Sequence, residues 1–147
     1  MNIPEYKIEE WLEVLEPFQQ ELIQTLLVEH SEEEAIQIWI SVSGPEYTTS
    51  FGGTEKKDYL KSFKEEFDKF ILCDDKYKND IKELNEYTTI TKYFIVSFIS
   101  SVLAKSLGVV SGVVAPLIVL ILGVIGKIGL NAYRNAVLKE REKLDQK

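Results

Sequence analysis

Leu107–Gly126 reads LGVVSGVVAPLIVLILGVIG, a run of 20 residues without a charge. Its interpretation decides the fold. As an α-helix this run would extend ~30 Å, about the thickness of a bilayer's hydrocarbon core. Lys105 and Lys127 bracket it, close enough for their ammonium groups to snorkel to lipid headgroups. One step outward, Tyr93–Gly126 is 34 residues with a single charge, Lys105. A helix of that length would measure ~51 Å, too long for one upright span and too short for two full ones. Two geometries remain: one tilted span with a helical lead-in, or a shallow hairpin bent near Ser106-Leu-Gly108 or at Pro116. A helix that is apolar all round is also what the centre of a soluble bundle requires. Both environments stay open, with membrane insertion the favoured one.

Small residues punctuate the same stretch. Ser100, Ala104, Gly108, Gly112 and Pro116 recur every four positions, so on one continuous helix they form a slowly drifting stripe. Gly108-Val-Val-Ser-Gly112 is a GxxxG, which lets a second helix backbone approach closely in a membrane. In a soluble bundle the same spacing simply permits tight packing.

The remainder of the chain is polarised. Residues 1–90 carry 9 Lys against 21 Asp or Glu, whereas residues 91–147 carry 8 Lys or Arg against 3 acids. The organisation expected is therefore an acidic helical regulatory and assembly region over 1–90, an apolar segment over 91–130, and a basic helical tail over 131–147. More basic residues follow the apolar run than precede it, which favours a cytoplasmic C-terminus. Met1 to Glu16 is acidic and lacks the apolar core of a signal peptide, so the expected location is the inner membrane, or the cytoplasm if the apolar helix is buried.

Helical signals run along the whole chain. Pro4 can occupy a first helical turn, and Ile8, Trp11, Leu12 and Leu15 recur at helical spacing. Pro17 interrupts, so Phe18, Leu22, Ile23, Leu26 and Leu27 belong to a second helix or a kinked continuation. Ser31-Glu-Glu-Glu34 has the form of a capping box. After it, Ile36, Ile38, Ile40 and Val42 alternate as in a strand, while Ala35, Ile36, Trp39 and Ile40 fit a helix. The cap and the lack of a strand to pair with favour the helix. Ser43–Gly53 is dense in turn formers, and Thr54 can cap a helix whose apolar face is Leu60, Phe63, Phe67, Phe70 and Ile71. Cys73-Asp-Asp75 ends that helix and restarts another, with Tyr77, Ile81 and Leu84 facing inwards. Beyond Gly129, Tyr133, Val137 and Leu144 mark a last helix. The fold class expected is all-α, a bundle of about five to seven helices with a long apolar C-terminal helix or hairpin.

Motifs for chemistry are lacking. Phe51-Gly-Gly-Thr54 has neither the lysine nor the spacing of a P-loop, and HExxH, CxxC and GxSxG are absent. One Cys excludes an internal disulfide framework. The Cys73 thiolate is disfavoured by Asp74 and Asp75, a pair that suits a helix cap better than a metal. His30 sits where a helix end favours a cation. The expectation is no enzyme, no cofactor, no catalytic residue and no metal site. One anionic-ligand candidate remains: Lys57, Lys61 and Lys64 share a helix face, beside the Ser43–Gly53 loop. Solvation of that face by neighbouring Glu65 and Asp68 is the competing account.

Three phrases carry a resemblance: Ser43-Gly-Pro…Phe51-Gly-Gly, Phe70-Ile-Leu-Cys-Asp-Asp-Lys-Tyr77, and Leu107-Gly-Val-Val-Ser-Gly-Val-Val-Ala-Pro-Leu…Lys127-Ile-Gly-Leu-Asn131. Over residues ~35–135 they resemble small bacterial proteins of phage-defence neighbourhoods, with a layout similar to Hailong-type channel effectors. That resemblance implies a homo-oligomer with a soluble sensing region, a membrane-disrupting segment, and a nucleotide or oligonucleotide regulator that keeps it closed. An operon-encoded protein partner is a further expectation. The function expected is a non-enzymatic effector that oligomerises and permeabilises the membrane as a channel or pore in anti-phage defence. The alternative is a soluble helical adaptor whose apolar helix is buried in a bundle or an obligate oligomer.

Overall fold

The computed structural model describes residues 3–43 and 56–145. Every regular element among them is helical: α1 (Ile8–Leu12), α2 (Pro17–Glu29), α3 (Glu32–Ser43), α4 (Lys56–Ile71), α5 (Lys78–Asn85), α6 (Lys92–Leu107), α7 (Ser111–Ile128) and α8 (Leu130–Asp145), with a short 3₁₀ turn at Asp75–Tyr77. The all-α bundle stands. The eight α-helices counted among the described residues exceed the expected five to seven because short local breaks divide the chain more finely than apolar periodicity alone indicates.

Those breaks have identifiable causes. Pro17 occupies the first helical position of α2, where its missing N–H is no loss, so Ile8–Leu12 remains a separate element. Ser31 and Glu34 close the capping box at α3, with the Glu34 N–H donating to Ser31 Oγ at 3.2 Å and the Ser31 N–H to Glu34 Oε1 at 3.1 Å. Residues 32–43 are accordingly helix, not strand. Thr91 Oγ1 accepts from the Phe94 N–H and starts α6. Cys73, with φ of 60°, turns the chain out of α4. Pro4 departs from expectation: residues 3–7 are not helical, and Lys7 is extended before α1 begins. Residues 44–53 and Thr54 lie outside the described residues.

Of the two geometries the 34-residue length left open, α6 and α7 form the hairpin, reversing at Gly108 and not at Pro116, which sits inside α7. Gly108 ends α6 with φ of 72°, a left-handed conformation that a side chain resists. α7 is the axis of the molecule. It packs against α6, α3, α1 and α8, and from Leu117 to Leu122 every residue is 0–3% exposed. One apolar cluster joins Trp11 and Ile23, through Phe63, Phe67 and Ile99, to Leu120, Tyr133 and Val137. The acidic region, the apolar segment and the basic tail thus share one core. Fully burying side chains of this size contributes ~1.5–3 kcal/mol each, so α7 is the largest apolar contributor to the fold.

Candidate functional site

The candidate site is the α6–α7 hairpin with the elements that cover it. Ser100 and Ala104, on α6, are buried, and Ser100 Oγ is shielded without a hydrogen-bond partner. Pro116 is buried on α7. Gly108 and Gly112, by contrast, are exposed. The expected stripe along one helix is therefore corrected: the turn at Gly108 divides it, leaving Ser100 and Ala104 on one helix and Gly112 and Pro116 on the next. A Cβ added at either Gly108 or Gly112 would meet nothing within 4 Å, so among the described residues this GxxxG mediates no close backbone approach. What Gly108 supplies is the positive φ of the reversal.

The glycines that packing does require lie further along. A Cβ at Gly126 would fall 2.0 Å from the Tyr6 carbonyl oxygen, and one at Gly123 would fall 2.7 Å from Ile8 Cδ1. Residues 3–12 cross α7 as a strap, seated where its surface has no side chains. Ile3, Trp11 and Leu12 are buried beneath it, and the Tyr6 ring meets Trp11 edge-on at 5.2 Å. Trp11 Nε1 is buried without a partner, a penalty of ~1–3 kcal/mol that the apolar contacts offset. Polar ties hold the margins. The Leu130 N–H donates to Glu5 Oε2 at 3.4 Å, and Lys127 Nζ lies 2.8 Å from Glu32 Oε1, whose side chain is 8% exposed. Trp39 Nε1 donates to the Val113 carbonyl at 3.2 Å, and Gln19 Nε2 to the Gly112 carbonyl at 3.3 Å. Lys92 pairs with Glu13. Strap, α2, α3 and hairpin are thereby joined.

A second polar arrangement ties α4 to α8. The Tyr133 hydroxyl donates to Asp68 Oδ1 at 2.6 Å, and both residues are buried. Burial raises the Asp68 carboxyl above its ordinary value, against the opposing pull of Tyr133, Lys64 and Arg141. Burial, with Asp68 beside it, also drives the Tyr133 phenol upward. Glu66 differs: burial pushes its carboxyl up, but bonds from Lys76, Tyr77 and Lys69 outweigh this and hold it below the usual range. Burial raises Tyr59 to about 12. Tyr77 bridges Glu66 to Ser106 Oγ, the latter at 3.0 Å, and so fastens the end of α6 to α4.

The lysine set is dispersed in what it offers. Lys61 and Lys64 are exposed on α4, and the Lys64 charge acts on Asp68; the Lys57 side chain and residues 44–53 lie outside the described residues. Asp74 occupies the N-cap position of the Asp75–Tyr77 turn, but its side chain makes no cap hydrogen bond and faces Arg141 at 3.6 Å. His30 Nδ1 stands 3.7 Å from Glu34 Oε2 at the end of α2. Among the described residues no group of three or more His, Cys, Asp or Glu could hold a metal ion. Gly123, Gly126 and the Asp68–Tyr133 pair escaped the sequence reading. A hint existed in Gly123-Val-Ile-Gly126, two glycines one helical turn apart in a run otherwise filled with large aliphatics.

Comparison of the chain with family models, with curated proteins and with solved structures returns no match. Among the described residues one helix, Ser111–Ile128, is long and apolar enough to cross a membrane, and 61% of it is buried inside the protein.

Proposed function

We propose that this chain is a helical interaction protein that performs no chemistry of its own and acts by association, with the α6–α7 hairpin as its buried core. The supporting observation is the cover on α7: six consecutive residues, Leu117–Leu122, are 0–3% exposed. An all-apolar helix must be surrounded by protein or by lipid, and here α1, α3, α6 and α8 supply protein. Glycine positions shaped to the strap, and ion pairs such as Lys127–Glu32 at the rim, suit a state folded in water. The test is purification without detergent, followed by light scattering and liposome dye release. Monodisperse protein that leaves liposomes intact supports this reading; recovery from membranes alone overturns it.

A second reading is favoured by the length and apolarity of α7. In it the protein is a membrane-acting effector of bacterial anti-phage defence, held closed by a nucleotide, an oligonucleotide or an operon-encoded partner. Activation would lift the strap from Gly123 and Gly126, free the hairpin for the inner membrane, and let several copies permeabilise it. Dye release from anionic liposomes by the purified chain, increased by Gly126→Leu, supports this second reading.

A further inference from the structure

We propose that the cleft between the α1–α2 turn and the α6–α7 hairpin binds a short aliphatic primary amine as its ammonium ion. The proposal stands apart from the interaction-protein reading and needs only the folded chain. The cleft, of about 220 Å³, is bordered by Leu15 and Glu16, by Val96 and Ser100 of α6, and by Ser111 and Ala115 of α7. Small side chains leave room there: a Cβ at Gly112, which also lines the cleft, would meet nothing within 4 Å. The volume falls below the ~300 Å³ at which sites for drug-sized ligands begin. The occupant is therefore small.

Ser100 is the observation that points to a ligand. It is 2% exposed, and its hydroxyl has no hydrogen-bond partner among the described residues. The side chain is one methylene and that hydroxyl, so the wall Ser100 gives the cleft ends in an unsatisfied polar atom. Leaving a buried hydroxyl unpaired is costly, and a ligand that bonds to it recovers the loss. Ser97, Ser101 and Ser111 add exposed hydroxyls around the same cleft, each with lone pairs to offer.

Charge narrows the occupant further. Among the residues lining the cleft Glu16 alone is charged, and it has no ion-pair partner among the described residues. The nearby cations are engaged or elsewhere: Lys92, one turn before Val96, is paired with Glu13, and Lys105 lines a separate cleft beside Asp80. An anion is therefore repelled and a cation favoured. An ammonium group has three donors and no acceptor, which matches hydroxyl and carboxylate oxygens. Leu15, Val96 and Ala115 suit a short run of methylenes. A single carboxylate calls for a single ammonium.

The experiment is calorimetric titration of the full chain with butylamine and with butanol, its uncharged counterpart of the same shape. Wild type is compared with Ser100→Ala, Glu16→Gln and Glu21→Gln, the last removing an exposed α2 acid that does not line the cleft. Wild type is expected to bind butylamine saturably, with Kd of about 1 mM or tighter, and butanol roughly tenfold more weakly. Ser100→Ala and Glu16→Gln are each expected to lose roughly tenfold in butylamine affinity, the effect of one contact to a charged group. Glu21→Gln should bind as wild type does. Ser100→Ala deletes an unsatisfied hydroxyl, so its denaturation midpoint without ligand should rise, which separates lost binding from lost fold. Absence of saturable binding means a cleft that holds water alone and overturns the proposal. Equal affinity for butanol overturns the ammonium class, and binding unchanged by Ser100→Ala overturns the site. A loss in Glu21→Gln equal to that in Glu16→Gln means diffuse attraction to an acidic surface and overturns both. The interaction-protein reading is tested separately, by light scattering and dye release without the amine.

Discussion

Single atoms decide which glycines matter. Gly126→Ala places a methyl group on the Tyr6 carbonyl, so strap or helix must shift; we expect a loss of about 1–3 kcal/mol, the range for overpacking, read as a lowered denaturation midpoint. Gly112→Ala meets open space on a helix and should instead stabilise by about 0.5–1 kcal/mol. A midpoint for Gly112→Ala below that of Gly126→Ala would refute the strap geometry. Asp68 permits a test by pH. Its carboxyl is raised in the folded state, so the folded chain binds the proton more tightly and stability falls as pH rises from the ordinary carboxylate value through the raised one. Glu66 is lowered and has the opposite sign: its stabilisation is present above the ordinary value and is lost as pH falls through the folded one. Asp68→Asn keeps an acceptor for Tyr133 and removes the first slope, so acid titration of its stability should be steeper than wild type; Glu66→Gln should flatten it. Identical titration curves for the two variants would contradict this assignment.

At the level of the element, what could be read in advance was what is local. Pro17 and the Ser31–Glu34 box start helices through groups within three residues of one another, and sequence displays such groups side by side. The reversal at Gly108 was legible only as one option, since the length allowed a tilted span as well as a hairpin and Pro116 offered a second place to bend. The strap was not. Glu5 meets Leu130, and Tyr6 meets Gly126, across more than a hundred positions that periodicity does not connect. The GxxxG misled for a related reason: its spacing has meaning only on one continuous helix, and Gly108 is where the helix ends. Nor did the apolar pattern of α2 disclose that Phe18 and Leu22 face outwards while Ile23 faces in. Two substitutions measure the element scale. Leu120→Ala in the fully enclosed part of α7 is expected to cost about 2–5 kcal/mol in chemical denaturation, and Ser31→Ala about 1 kcal/mol through the lost cap. Similar values for the two would mean that α7 is not the axis of the fold.

Across the whole molecule, a −12 half and a +5 half wrap one core, and acidic groups reach the basic half through Glu5, Glu13 and Glu32. Screening of such contacts by salt is modest where one partner is buried, as Glu32 is, and larger where both are open. The strap has a consequence for the order of events during synthesis. Residues 3–12 are made first, yet their seats at Gly123 and Gly126 emerge more than a hundred residues later. Until then Trp11 and Ile3 have no α7 to cover. Closing so distant a contact carries an entropic cost that grows with the length of chain between its ends. A ribosome stalled before Gly126 would therefore hold a chain whose N-terminal segment remains open to protease until its seat on α7 has emerged.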